Sequence, residues 1–184
     1  MCWHAARWNR WGMSTNNEGT GIATTSTPAT PVNAACAGAP SLLIATIVGL
    51  VHAGFTYYWA SGGGFLLSTV SERATSVFDG HEQWLYPVAV VKTIFALLPF
   101  LYLLMRRKLV KARLVLGLGG LILLLWGGIN TVTANLNFFG VMDAGADTAR
   151  NELIGHAFVW DPLFFIWGMA VIVFLISTRQ LKRA

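Results

Sequence analysis

The chain has 184 residues, 55 % of them hydrophobic and 11 % charged, with a formal net charge of +5. A soluble domain carries roughly 25 % charged residues, so this composition cannot cover a water-facing surface. The basic residues flank apolar blocks and form no stripe with interleaved aromatics, which argues against nucleic acid as a partner.

In chain order, residues 1–40 contain no apolar stretch of the length a secretory signal needs. Residues 14–40 are rich in Thr, Ser, Asn, Ala, Gly and Pro, a composition too polar to offset chain entropy by burial, and a disordered tail is expected. Residues 1–12 carry Trp3, His4, Arg7, Trp8, Arg10 and Trp11. Two readings stand side by side: an interfacial basic-aromatic segment, or translation that starts at Met13. The two cysteines, Cys2 and Cys36, form no CxxC, which excludes a thiol redox pair, c-type haem attachment and a cysteine-based zinc site.

Four apolar blocks follow, each near the ~20 residues needed to cross the hydrocarbon core. They cover residues 41–60, 84–105, 114–139 and 162–178, the last extended backwards by an amphipathic turn. The expected fold is all-α, an integral membrane bundle of four antiparallel transmembrane helices over residues 41–184. The first block ends in Tyr57, Tyr58 and Trp59 before Gly62-Gly63-Gly64, an aromatic belt followed by a helix stop. Arg7 and Arg10, Arg106, Arg107, Lys108, Lys111 and Arg113, and Arg179, Lys182 and Arg183 make ten of the thirteen basic residues, all on one side of a four-span chain. The positive-inside rule places both termini and the middle link in the cytoplasm. Among the acidic residues only Glu18 falls on that side.

Small residues predict close helix contacts: Ala45, Gly49 and Ala53 in span one, and Gly117, Gly119, Gly120, Gly127 and Gly128 in span three. Pro99 should bend span two and leave a carbonyl to be satisfied within the bundle.

The functional signal is the set of polar residues inside the apolar blocks. Span one contributes His52 and Thr56; span two, Lys92 and Thr93; span three, Asn130, Thr133 and Asn137, with Asn135 on another face; the start of span four, His156 and Asp161. At a helix rise of about 1.5 Å per residue, Lys92 and His52 lie roughly 9–10 Å below the outer boundary. His52, Lys92, Asn130, Thr133, His156 and Asp161 therefore define a candidate outward-opening polar site. Asp161 is the natural counter-ion for Lys92, since a charge at this depth costs roughly 2.5–3.5 kcal/mol unless compensated. Each residue also has a structural explanation. Lys92 can snorkel, Asp161-Pro162 has the form of an N-cap and first turn, and Asn130 and Thr133 suit interhelical hydrogen bonds.

Tyr58-Trp59-Ala60-Ser61-Gly62-Gly63 at the end of span one, with Gly155-His156 and Trp160-Asp161-Pro162-Leu163-Phe164 at the start of span four, resembles the bacterial four-span membrane-protein family catalogued as domain of unknown function 3995. The resemblance covers residues 41–180. It implies a four-span fold and a bacterial plasma-membrane location, and it supplies no activity.

Three functions compete. The first is a structural or accessory membrane component whose partners are the lipid bilayer and another membrane protein or a second copy of the chain. The second is a small carrier or permease with an outward-facing polar site. The third is a haem- or quinone-linked oxidoreductase that uses His52 and His156 as axial ligands. No HExxH, P-loop or dinucleotide fingerprint is present, so the sequence calls for no metal or cofactor, and a non-enzymatic role leads.

Overall fold

The computed structural model describes residues 31–105, 110–143 and 148–178, and the regular structure among them is helical. Helix α1 spans Pro31–Ala60. A 3₁₀ turn, Leu67–Thr69, leads to the short α2, Glu72–Phe78, and a second, Glu82–Trp84, opens α3, Leu85–Met105. After α4, Val110–Phe138, comes α5, Arg150–Gly155, joined through a π-helical turn, His156–Trp160, to α6, Asp161–Ser177.

Four stretches are long and apolar enough to cross a membrane: Gly38–Ala60, Glu82–Met105, Lys111–Phe138 and Arg150–Ser177. The chain is a multi-pass membrane protein of the all-α class, with four spans as hydropathy predicts. We call the end bearing the 61–84 and 139–149 connections the loop end, and the opposite one the link end.

Both ends of the first span differ from expectation or refine it. Helix begins at Pro31, ten residues ahead of residue 41, and runs through Pro40. The Ser41 hydroxyl donates to the Gly38 carbonyl at 3.0 Å, and a Cβ on Gly38 would lie 3.0 Å from Thr178 Cγ2. Polar composition before residue 41 concealed Gly38, which packs against the end of α6. Residues 1–30, including the basic-aromatic segment and Met13, lie outside the described residues, as do the basic clusters at 106–108 and 179–183.

At the loop end, α1 stops in a Schellman arrangement. Gly62 has φ +87°, the Gly63 amide donates to the Tyr58 carbonyl, and the Gly62 amide donates to that of Trp59. Glycine takes this left-handed conformation without a Cβ penalty. Gly140, at φ +72°, closes α4 the same way, with Val141 donating to Leu136 and Gly140 to Asn137.

The bundle is built around α1 and α6, which pack on each other; α3 lies on α1 and α4 on α6, while α3 and α4 barely meet. The core joins Leu42, Ala45, Ala96, Leu116, Trp167, Ala170, Val171, Phe174 and Leu175. Small residues allow this closeness, as the sequence predicts. A Cβ on Gly127 would sit 2.4 Å from the Phe165 amide nitrogen. One on Gly168 would sit 2.4 Å from that of Leu124, and one on Gly49 would run into Ala96 and Trp167. Pro99 is buried and cannot donate to the Phe95 carbonyl. One residue along, the Thr46 hydroxyl reaches the Ala96 carbonyl at 3.4 Å. At the link end, Arg113 donates to the Leu175 carbonyl and to Thr178 Oγ1, and so caps the last turn of α6. The outward faces of α3 and α4 expose Val91, Ile94, Leu104, Leu118, Ile122 and Ile129, as lipid-facing surfaces should.

Candidate functional site

The six candidate residues separate into two groups. The first joins α1 to α3. Lys92 Nζ lies 2.9 Å from Thr56 Oγ1 and 3.2 Å from His52 Nδ1. The Thr56 hydroxyl donates to the His52 carbonyl at 3.0 Å, so its one hydrogen is used and its lone pair is free to accept from Lys92. The His52 ring stacks at 4.0 Å on Phe164 and also meets Trp160 at 5.9 Å and Trp167 at 6.5 Å. Lys92 Nζ is 5.7 Å from the centre of the Phe164 ring.

With Lys92 as an ammonium, His52 must accept through Nδ1, and its hydrogen then sits on Nε2. That Nε2 is buried without a hydrogen-bond partner among the described residues, as is Trp167 Nε1. The group is thus a cation held by a hydroxyl, an imidazole nitrogen and an aromatic face.

The expected pairing of Lys92 with Asp161 does not occur. Asp161 Oδ2 is 2.8 Å from His156 Nδ1, and Asp161 is 2 % exposed against 32 % for the histidine. The partner of Lys92 comes from α1 because α3 packs there; Asp161 opens α6, which packs on α4 and the π turn.

Local geometry explains the His156–Asp161 pair. In an α-helix, residues five apart point about 140° away from each other. The π turn His156–Trp160 bonds i to i+5 and carries more residues per turn, which returns Asp161 to the side of His156. Asp161 therefore does not act as the expected N-cap: its backbone is helical, and the Trp160 position that precedes α6 makes no side-chain cap. The fourth span is continuous from Arg150. Pro162, which lacks an N–H, stands two residues after the widened turn. Asn135 Nδ2 donates to the Ala157 carbonyl at 3.2 Å and to Thr131 O at 2.7 Å, giving one carbonyl of the π turn a partner from α4.

The second group surrounds a cavity of about 290 Å³ between α4 and the α5–α6 segment. Asn130, Thr133, His156 and Asp161 line it, together with Trp126, Asn137, Glu152, Ser71 and Thr148. His52 and Lys92 do not: the rings of Phe164 and Trp160 receive His52 instead. Positions 126, 130, 133 and 137 recur at helical spacing and give α4 one polar face. Asn137 Oδ1 is buried with no hydrogen-bond partner. Of the lining, Glu152, Ser71 and Thr148 stand in segments that read as connections between spans, where intramembrane polarity gives no signal.

The loop end is fastened over this region. Trp160 Nε1 donates to Thr69 Oγ1 at 3.0 Å, and the Thr69 hydroxyl donates to the Leu66 carbonyl at 2.6 Å. A Cβ on Gly155 would fall on the Thr69 carbonyl. Trp59 Nε1 donates to the Phe65 carbonyl at 3.0 Å, and Trp59 and Trp160 meet edge to face at 5.0 Å. The segments Tyr58–Gly63 and Gly155–Phe164 singled out in the sequence are thereby neighbours.

Among the described residues no three His, Cys, Asp or Glu side chains converge as metal ligands. No family model, curated protein or solved structure matches the chain. The chain itself, with four apolar helices suited to a bilayer, is a multi-pass membrane protein.

Proposed function

We propose that the protein is a small carrier that binds a polar solute in the cavity between α4 and the α5–α6 segment, with the loop end facing out of a bacterial plasma membrane. One observation carries this reading: α4 and the α5–α6 segment leave between them an open groove of about 290 Å³ lined by Asn130, Thr133, Asn137, Glu152, His156 and Asp161. Polar groups that serve only to tie helices together would bond to each other and need no such space. For that reason the carrier reading takes precedence over a purely structural or accessory role. The distribution of basic residues supports the orientation.

The test is binding by the purified chain in mild detergent, read as thermal stabilisation across a panel of ammonium compounds, amino acids, polyols and organic anions. We expect saturable stabilisation by one class, abolished in Asn130→Leu/Thr133→Val with the unliganded stability retained. A stoichiometric co-purifying membrane protein, with no response to any solute, would instead establish the accessory role. A Soret band in the same sample would establish the haem role.

A further inference from the structure

We infer that the outward face of α1, near the loop end, holds one acyl chain of a two-chain glycerophospholipid, with an ester carbonyl of that lipid on the Tyr58 hydroxyl. The site is separate from the groove between α4 and the α5–α6 segment.

One stripe of a single helix and one residue that folds back onto it build this site. Val51, Gly54, Phe55 and Tyr58 stand at helical spacing on α1, and Phe65 closes the row from the connection beyond. Together they line a groove of about 510 Å³. From Val51 to Tyr58 it runs roughly 10 Å along the helix. Gly54 is its floor, where a Cβ would meet nothing within 4 Å. The walls are anchored. Phe55 packs on Trp59 and, edge to face, on Trp160 at 5.2 Å between ring centres. The Tyr58 ring lies on the turn at Gly63, where a Cβ would fall on it. Phe65 is held by both of its backbone groups: its amide donates to Tyr58 Oη at 3.4 Å, and its carbonyl accepts from Trp59 Nε1 at 3.0 Å. Its ring is left exposed.

Three features choose the occupant. The first is position. The groove belongs to the span Gly38–Ala60 and continues the exposed apolar face of Ile47, Leu50 and Val51. At that depth the surrounding medium is hydrocarbon.

The second is chemistry. The lining side chains are apolar except for the Tyr58 hydroxyl, and Tyr58 belongs to the aromatic belt at headgroup level. Having accepted from the Phe65 amide, that hydroxyl keeps its own hydrogen, which has no acceptor among the described residues. An apolar groove with a donor at its mouth matches a hydrocarbon chain that ends in an ester carbonyl. No charged side chain lines the groove among the described residues, so the chain and its ester are recognised rather than the headgroup.

The third is width. The residues four before and four after Gly54 are Leu50 and Tyr58. A second helix approaches closely where small residues recur at that spacing, and here they do not. A single acyl chain fits where a helix about 10 Å across does not.

Native mass spectrometry reads the site in the full chain, delipidated in mild detergent and titrated with dioleoylphosphatidylethanolamine. The wild-type chain should bind one lipid more tightly than any that follow. Gly54→Leu fills the floor and Phe65→Ala removes the roof, and each should weaken that first step about tenfold. Tyr58→Phe should weaken it several-fold. Val91→Leu, on the outward face of α3, should leave it unchanged. Melting temperatures without lipid should not fall for Gly54→Leu or Phe65→Ala, since one position opens on free space and the other ring is exposed. Glycerophosphoethanolamine, the same headgroup without chains, should not bind. A wild-type chain with no step tighter than the rest would overturn the site. Wild-type affinity in either Gly54→Leu or Phe65→Ala would refute its placement, and wild-type affinity in Tyr58→Phe would refute the ester contact. Binding of the headgroup alone as tightly as the intact lipid would rule out recognition of the chain. A wild-type dimer that Gly54→Leu dissociates would make this face a protein interface and end the lipid assignment.

Discussion

His156 and Asp161 show how far a single side chain's neighbours depend on backbone register. Both residues are visible in the sequence as polar intruders, yet five positions of α-helix would turn them apart. Nothing in the residue types announces a π turn, so the pair was not legible. The carboxylate that looked like a counter-ion for Lys92 belongs to the histidine instead. Helix rise alone puts His52 and Lys92 at one level, and they do meet, with Thr56 one turn further along α1. Asp161 is buried and relies on His156, so removing the histidine leaves a carboxylate unpaired. Because the histidine is about a third exposed, His156→Ala should cost about 1–3 kcal/mol, below the loss of a fully buried pair. Denaturant titration in mixed micelles measures it, and adding Asp161→Asn to the same chain should recover part of the loss. A double variant as unstable as the single one would disprove the pairing.

At the scale of elements, the glycines separate into those that permit a contact and those that do not. Gly168 and Gly127 let α4 and α6 approach until backbone meets backbone. Gly54 has nothing within 4 Å of a would-be Cβ. Gly168→Ala should therefore destabilise the bundle by about 1–3 kcal/mol through forced separation. Gly54→Ala should stabilise it by about 0.5–1 kcal/mol, because alanine loses less freedom in a helix. Opposite shifts in thermal unfolding are the expected readout, and shifts of the same sign would contradict the seam. The small residues of spans one and three were legible as packing positions from spacing alone. The true length of span four was not: Arg150, Asn151 and Glu152 are polar, so hydropathy places the boundary at Pro162, where a proline after an aspartate imitates a helix start.

For the whole molecule, four spans follow from hydropathy because the blocks are long and the breaks between them are marked by glycine or charge. Orientation rests on basic residues, most of them outside the described segments, and is checked by labelling. In a Cys2→Ser/Cys36→Ser background, cysteines placed at Gly64 and Val141 should react with a membrane-impermeant thiol reagent added to intact cells. A cysteine at Arg107 should react only after permeabilisation. The reverse pattern would invert the bundle and turn the cavity inward. The polar lining was legible only in part, since Asn130, Thr133 and Asn137 lie within an apolar block and His156 and Asp161 just ahead of one, while Glu152, Ser71 and Thr148 reach it from segments that read as connections.

The widened turn between α5 and α6 acts as a phase shift. It holds one residue more than an α turn would, so every side chain after it is rotated by about 100° relative to an uninterrupted helix. Trp167, Gly168, Val171 and Phe174 face the core only with that offset in place. The turn thus stores one residue that the phase of the helix does not need. Deleting one of Ala157, Phe158 or Val159 would let an unbroken α-helix form with Gly168 still on its seam and with His156 and Asp161 four positions apart on one face.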